Sequence, residues 1–189
     1  MPSVTSGAAY CSAREEQMTP LAINAEDSRY PPRLRQRLGG DAPPMLSALG
    51  NLELLAQPMT ALFCSARCPG NVILRAYDQA AMWRDARRCV ISGFHSPVEK
   101  ECLRILLRGS QPIIICPARA LPKRIPPGWK GPLAAGRLLI LSAFRPTETR
   151  ATAGLAARRN AIVSALATET QVPFGSDAFH LRSYMKAEL

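Results

Sequence analysis

The 189-residue sequence predicts an α/β chain, a mostly parallel sheet with helices on both faces, preceded by a short N-terminal extension. Two observations predict this class. Short runs that are apolar throughout recur at residues 59–64, 89–91, 112–116 and 137–141, with a weaker one at 171–174. Segments whose apolar residues fall at helical spacing separate them. Strands apolar along their whole length need cover on both faces, and helices between them supply both that cover and the crossover that parallel pairing requires. The pattern is Rossmann-like.

Each element has a local reason. Residues 1–27 are polar and rich in small side chains without a sustained period, which reads as a loosely ordered lead-in. A short basic helix, PRLRQRL, follows at 32–38 and stops at Gly39-Gly40. Residues 41–44 make a turn, and 45–49 form a short apolar piece closed by Gly50-Asn51. The expected division is therefore 1–50 as the extension and 51–189 as the Rossmann-like domain. In the first long helix, 71–87, Ile73, Ala76, Tyr77, Ala80 and Trp83 share a face. In the second, 97–108, Val98, Cys102, Leu103, Ile105 and Leu106 do the same. A third covers 149–167, with Gly154 as a point of interruption. Between two strands, 118–132 holds four prolines and two glycines around Trp129 and is expected to be an irregular loop.

Bulk numbers narrow the function classes. Twenty-four Lys and Arg against 14 Asp and Glu give a net charge of +10. An excess of this size favours polyanionic partners, and arginine suits bidentate phosphate contacts. A merely solubilising basic surface is the competing reading. No apolar stretch approaches the roughly 20 residues that span a bilayer, and the amino terminus lacks a signal-peptide pattern. A cytoplasmic protein with no membrane contact is expected. Of the six cysteines, Cys64 and Cys68 share a CxxxC spacing that His95 and one further ligand would complete as a zinc set. No second pair of ligand spacing follows, so reduced thiols, no metal and no cofactor are expected.

In an open parallel sheet, ligands bind beyond the carboxyl ends of the strands. Four loops answer to that place. The first, 65–70, offers Ser65, Arg67 and backbone amides at a helix start, either a phosphate cradle or a plain turn. The second, 92–96, carries Ser92, Gly93 and His95. Here Ser96 and Glu99 have capping-box spacing around Pro97, which assigns Glu99 a structural task. His95 is then either a ligand contact or a turn-stabilising side chain. The third contributes Arg119, followed by Lys123 and Arg124. The fourth, SAFRP at 142–146, leads to Arg158, Arg159 and Asn160, with one arginine directed at the sheet edge or both on a solvated helix face. Nothing has the order or spacing of a catalytic triad, a carboxylate pair or an HxxxH metal motif. Anion binding is favoured over bond breaking, and no enzyme is expected.

Taken in order, YPPRLRQRL, GNLELL, ALFCSARCPG, VISGFHSPVEKECL, PIIICPAR, RLLILSAF and RRNAIVSALA resemble the DNA-processing protein DprA (Smf) family over residues 29–167. The resemblance implies a Rossmann-like domain that binds single-stranded DNA and loads the RecA recombinase onto it, in recombination or natural transformation. It also implies a homodimer. Ser65 and Arg67 take the positions of the family's Gly-Ser-Arg loop, Ser92-Gly93 the start of its glycine-rich loop, and Arg159-Asn160 its Arg-Asn motif. The departures are Cys64 in place of a glycine, and Phe94-His95-Ser96-Pro97 where the family has a second glycine and an aspartate. A short variant without the family's carboxy-terminal winged helix is expected. The alternative is a nucleotide-binding sensor or a nucleotide hydrolase of the same superfamily.

Overall fold

The computed structural model describes residues 19–65 and 67–174. Its centre is a five-strand parallel array made by β3 (Met59–Cys64), β4 (Cys89–Ser92), β5 (Ile113–Ile115), β6 (Leu138–Ser142) and β7 (Glu169–Phe174). The chain steps outward from β3 through β4 and β5 to β6, then returns to place β7 on the far side of β3. Two further strands, β1 (Leu21–Asn24) and β2 (Met45–Gly50), continue the sheet beyond β6, and both join antiparallel.

The fully buried strands explain the cover on both faces. Along β3 the side chains alternate, with Met59, Ala61 and Phe63 facing one core and Leu62 and Cys64 the other. Strands β4 to β6 alternate in the same way, as expected for a period of two. Helices α2 (Gly70–Asp85), α3 (Pro97–Leu107) and α4 (Pro127–Ala134) cover one face. Helices α1 (Pro32–Leu38) and α5 (Ala153–Leu166) cover the other.

The structure revises several local expectations. Residues 1–18 of the lead-in lie outside the described residues, but Leu21–Asn24 is a strand rather than loose chain. Its only reason to form is pairing with β2, which a four-residue window does not reveal. The stretch 45–50, read as a short apolar piece, is a strand hydrogen-bonded to β6, with Ser47 opposite Ser142. The proline-rich loop contains α4, which starts with Pro127 at a favoured first helical position and buries Leu133 completely. Helix α5 starts at Ala153 because the Thr152 hydroxyl accepts the Leu155 amide and caps it. Strand β7 begins at Glu169, and its register against β3 shifts beyond Leu62, next to Pro173, which has no amide to donate.

Part of the basic excess is structural. Arg37 donates to the Ala167 carbonyl at 2.6 Å and Arg33 to that of Leu166 at 3.3 Å. The basic α1 therefore closes the carboxyl end of α5, where the helix dipole is negative. Arg35 stacks over Tyr30 at 5.4 Å.

Cys64, Cys68, Cys89, Cys102 and Cys116 are free thiols. Burial pushes Cys89 and Cys102 up to about 12. An unfolded thiol ionises near pH 8.5, so these two stabilise the fold fully below that pH, and their contribution is lost as pH rises toward 12. The midpoint of thermal unfolding should therefore fall above pH 8.5, and more steeply for the wild type than for a Cys89→Ala, Cys102→Ala double variant. Equal slopes in the two proteins would show that burial of these thiols does not matter to the fold.

Candidate nucleic-acid interface

The carboxyl ends of β3, β4 and β5 lie side by side, because these strands are parallel neighbours in register. At a strand spacing of about 4.8 Å their loops form one continuous lip. Arg67 follows β3, His95 follows β4 and Arg119 follows β5, and all three are exposed. Ser65 is half-buried, and its hydroxyl accepts the Arg67 amide in a tight turn. Helix α2 begins just beyond at Gly70 with Pro69 as N-cap and no capping side chain; the Val72 amide already donates to the Pro69 carbonyl at 3.0 Å, which leaves the Gly70 and Asn71 amides uncapped.

The β4 loop is held from within. Ser92 is fully buried, and its hydroxyl accepts the Phe94 amide. Phe94 has a φ of 46°, a left-handed conformation that costs a non-glycine residue about 1–2 kcal/mol, and its ring is buried in the core beneath the lip. The end of β6 repeats the device. Ser142 accepts the Phe144 amide and donates to the Arg119 carbonyl at 2.7 Å. The two Ser-x-Phe triplets, Ser92 to Phe94 and Ser142 to Phe144, thus share one serine-to-amide hydrogen bond at two strand ends, with the left-handed backbone at Phe94 and not at Phe144, and the second ties the Arg119 loop to β6.

Glu99 is the residue whose reach the sequence understated. The expected capping box forms, with the Ser96 hydroxyl accepting the Glu99 amide and the Glu99 carboxylate accepting the Ser96 amide. The same carboxylate also accepts the His95 amide at 2.8 Å and, across the sheet, the Cys64 amide at 2.9 Å. Glu99 is only 5 % exposed and joins the β3 loop to the β4 loop. The S-x-x-E spacing announced the cap; nothing in the sequence announced a partner 35 residues away.

Arg159 comes from the opposite face, on α5, and is buried at 6 % exposure. Its Nε donates to Asn160 Oδ1 at 2.8 Å and its Nη1 to the Cys116 carbonyl at 3.4 Å. The Arg-Asn pair is therefore one unit in which asparagine aims arginine. The guanidinium lies directly against Gly93, where an added Cβ would sit 0.8 Å from Nη1. Burial lowers the Arg159 pKa from its usual value, while Glu99 and the Cys116 thiol act the other way. Its neighbour Arg158 is exposed and lines a 460 Å³ groove between α5 and residues 38–44, away from the lip.

The eight sequence candidates accordingly fall into two sets. Ser65, Arg67, His95 and Arg119 stand at the lip surface, whereas Ser92, Gly93, Arg159 and Asn160 form its inner wall. Arg159 reaches backbone carbonyl and glycine rather than solvent. Cys64 and Cys68 bring their sulfurs to 3.2 Å, yet among the described residues no three His, Cys, Asp or Glu side chains gather as a metal set. Among the same residues no helix is long and apolar enough to cross a membrane.

Comparison with known proteins places this architecture. A family model described as DNA recombination-mediator protein A matches residues 22–173, from β1 into β7. The chain superposes on the X-ray structure of DNA processing protein A (DprA) from Streptococcus pneumoniae with a TM-score of 0.68 at 19 % identity, covering 93 % of this chain and 63 % of that one. It superposes on DNA processing protein A from Helicobacter pylori, a structure titled for its unique single-stranded DNA binding mode, with a TM-score of 0.65 at 18 % identity. That match covers 89 % of this chain and 79 % of the other. No curated protein sequence matches the chain.

Proposed function

This chain belongs to the DNA recombination-mediator protein A family, and from that premise we propose that it binds single-stranded DNA along the carboxyl edge of its parallel strands. One observation carries the reading: exposed Arg67, His95 and Arg119 stand on adjacent strand ends over a wall whose buried Glu99 and Arg159 are already hydrogen-bonded within the protein. Cations on a rigid lip attract a phosphate chain without needing a specific base, and the association releases counterions. The net charge of +10 adds long-range steering toward a polyanion. The titled activity of the Helicobacter pylori relative supports this choice of ligand. Work by binding rather than bond making belongs to the same reading, supported by a Glu99 carboxylate that already accepts three amides. Loading of RecA onto the bound strand, and a homodimer, belong to the same reading, tested by co-sedimentation with RecA filaments and by solution mass.

A salt titration of oligonucleotide affinity tests the core of it. Each phosphate contact on a single strand contributes about 0.7 to the slope of log affinity against log salt. Arg67→Ala and Arg119→Ala should each weaken binding and lower the slope by about that amount. Absence of oligonucleotide binding at low salt, or unchanged slopes in both variants, would defeat the proposal. A second reading, a sensor of free nucleotide, has one observation in its favour, the uncapped start of α2 beside Ser65 and Arg67. It requires thermal stabilisation by a mononucleotide rather than by an oligomer.

A further inference from the structure

Amides at strand ends and helix starts are the groups that seat a ligand's phosphate in a Rossmann-like sheet, and the ends of β3 and β4, with the start of α3, bring three of them together. Here those amides are not free. The Glu99 carboxylate accepts Cys64 N at 2.9 Å through Oε1, and His95 N at 2.8 Å and Ser96 N at 3.2 Å through Oε2. These are donors from the end of β3 and the start of α3 converging on one anion, and the buried Arg159 guanidinium packs against Gly93 in the same wall. Three converging amides around a negative group form the donor set of an anion site. The group filling it is the protein's own side chain.

We infer that Glu99 is a built-in anion, a positioning residue that fills the cluster of amides between the ends of β3 and β4 and so closes this crevice to the phosphate of a mononucleotide. The consequence for the lip is specific. With these three amides taken, the phosphates of a ligand are left with the outer side chains of Arg67, His95 and Arg119 and the uncapped start of α2, which suits a continuous strand passing over the edge. This second step rests on the strand-binding reading above, whereas the built-in anion rests on the hydrogen bonds alone. Loss of Glu99 uncovers the latent site, whose size and charge suit a small carboxylate.

Chemical rescue tests this. Glu99→Ala should have a lower thermal midpoint than wild type, and sodium formate should raise it saturably by several degrees beyond the effect of equal sodium chloride. Wild type should not respond to formate. Glu99→Gln, which fills the space without charge, should stay low and not respond either. A Glu99→Ala response no larger with formate than with chloride overturns the inference. If Glu99→Ala is recovered unfolded, the same comparison is made on refolding yield, and equal yields in formate and chloride overturn it equally. For the native chain, a deoxynucleoside monophosphate should leave the Cys64, His95 and Ser96 amide resonances unmoved, and saturable shifts in all three would refute closure. Failure of wild type to bind an oligonucleotide would remove the strand reading while leaving the formate result standing.

Discussion

Gly93→Ala is expected to destabilise the fold by about 2–4 kcal/mol, more than overpacking usually costs, because the methyl group displaces a buried charge. The new Cβ would lie 0.8 Å from Arg159 Nη1 and 2.0 Å from Cζ, so the guanidinium must leave its place. Leaving means giving up the Cys116 carbonyl and moving away from Glu99, in surroundings where Arg159 is only 6 % exposed. The backbone of Gly93 is not the difficulty, since its φ is not in the left-handed region; the obstacle is the arginine. A double-mutant cycle makes this decisive. With Arg159→Ala already present the clash is gone, so adding Gly93→Ala should cost little more than Arg159→Ala alone. Denaturant unfolding of the four proteins measures it, and additive losses would show that Gly93 is needed for some other reason. Oligonucleotide affinity should fall with Gly93→Ala as well, because the His95 loop shares the same wall.

Arg159→Ala is expected to cost about 1–3 kcal/mol, the penalty for leaving acceptors away from solvent, here Asn160 Oδ1 and the Cys116 carbonyl, without their donor. Arg159→Lys should cost less but still be measurable. Lysine restores the charge but not the planar fork that meets Asn160 Oδ1 and the Cys116 carbonyl together. The salt dependence of DNA binding separates positioning from phosphate contact. If Arg159 holds the wall, Arg159→Lys and milder variants weaken affinity at every salt concentration without changing the slope. A slope reduced by about 0.7 would mean instead that the side chain swings out to a phosphate. Arg67→Ala, measured alongside, supplies the reference for a lost contact.

Much of the fold was legible because its signals are local. Strands β3 to β6 announced themselves as apolar runs, and their complete burial matches the two-sided cover such runs require. The Ser96–Glu99 cap and Pro97 fixed the start of α3 at three-residue range. Gly39 ended α1 where expected, with a φ of 53° that suits glycine. The candidate loops do follow the carboxyl ends of the strands, a placement that needs only element order. Their division into surface and wall was not legible, because exposure of an arginine depends on what packs against it. Arg158 and Arg159 are adjacent in sequence, yet one is exposed and the other buried.

By itself, then, the sequence determined the alternation of strands and helices, the starts of α1 and α3 and the loops that carry basic residues, all set by contacts a few residues apart. Tertiary structure alone decided three things. It recruited β1 and β2 to the sheet, through antiparallel pairing of β2 with a strand some 90 residues on. It assigned Arg33 and Arg37 to the end of α5 instead of to a ligand. It also brought Glu99 to Cys64 and Arg159 to Gly93, turning a cap and a helix-face arginine into the wall of the site. The physical reason is common to all three: a buried charge or an unpaired strand edge takes its partner from whatever the packed layers bring within about 3 Å, and residue spacing along the chain carries no record of that.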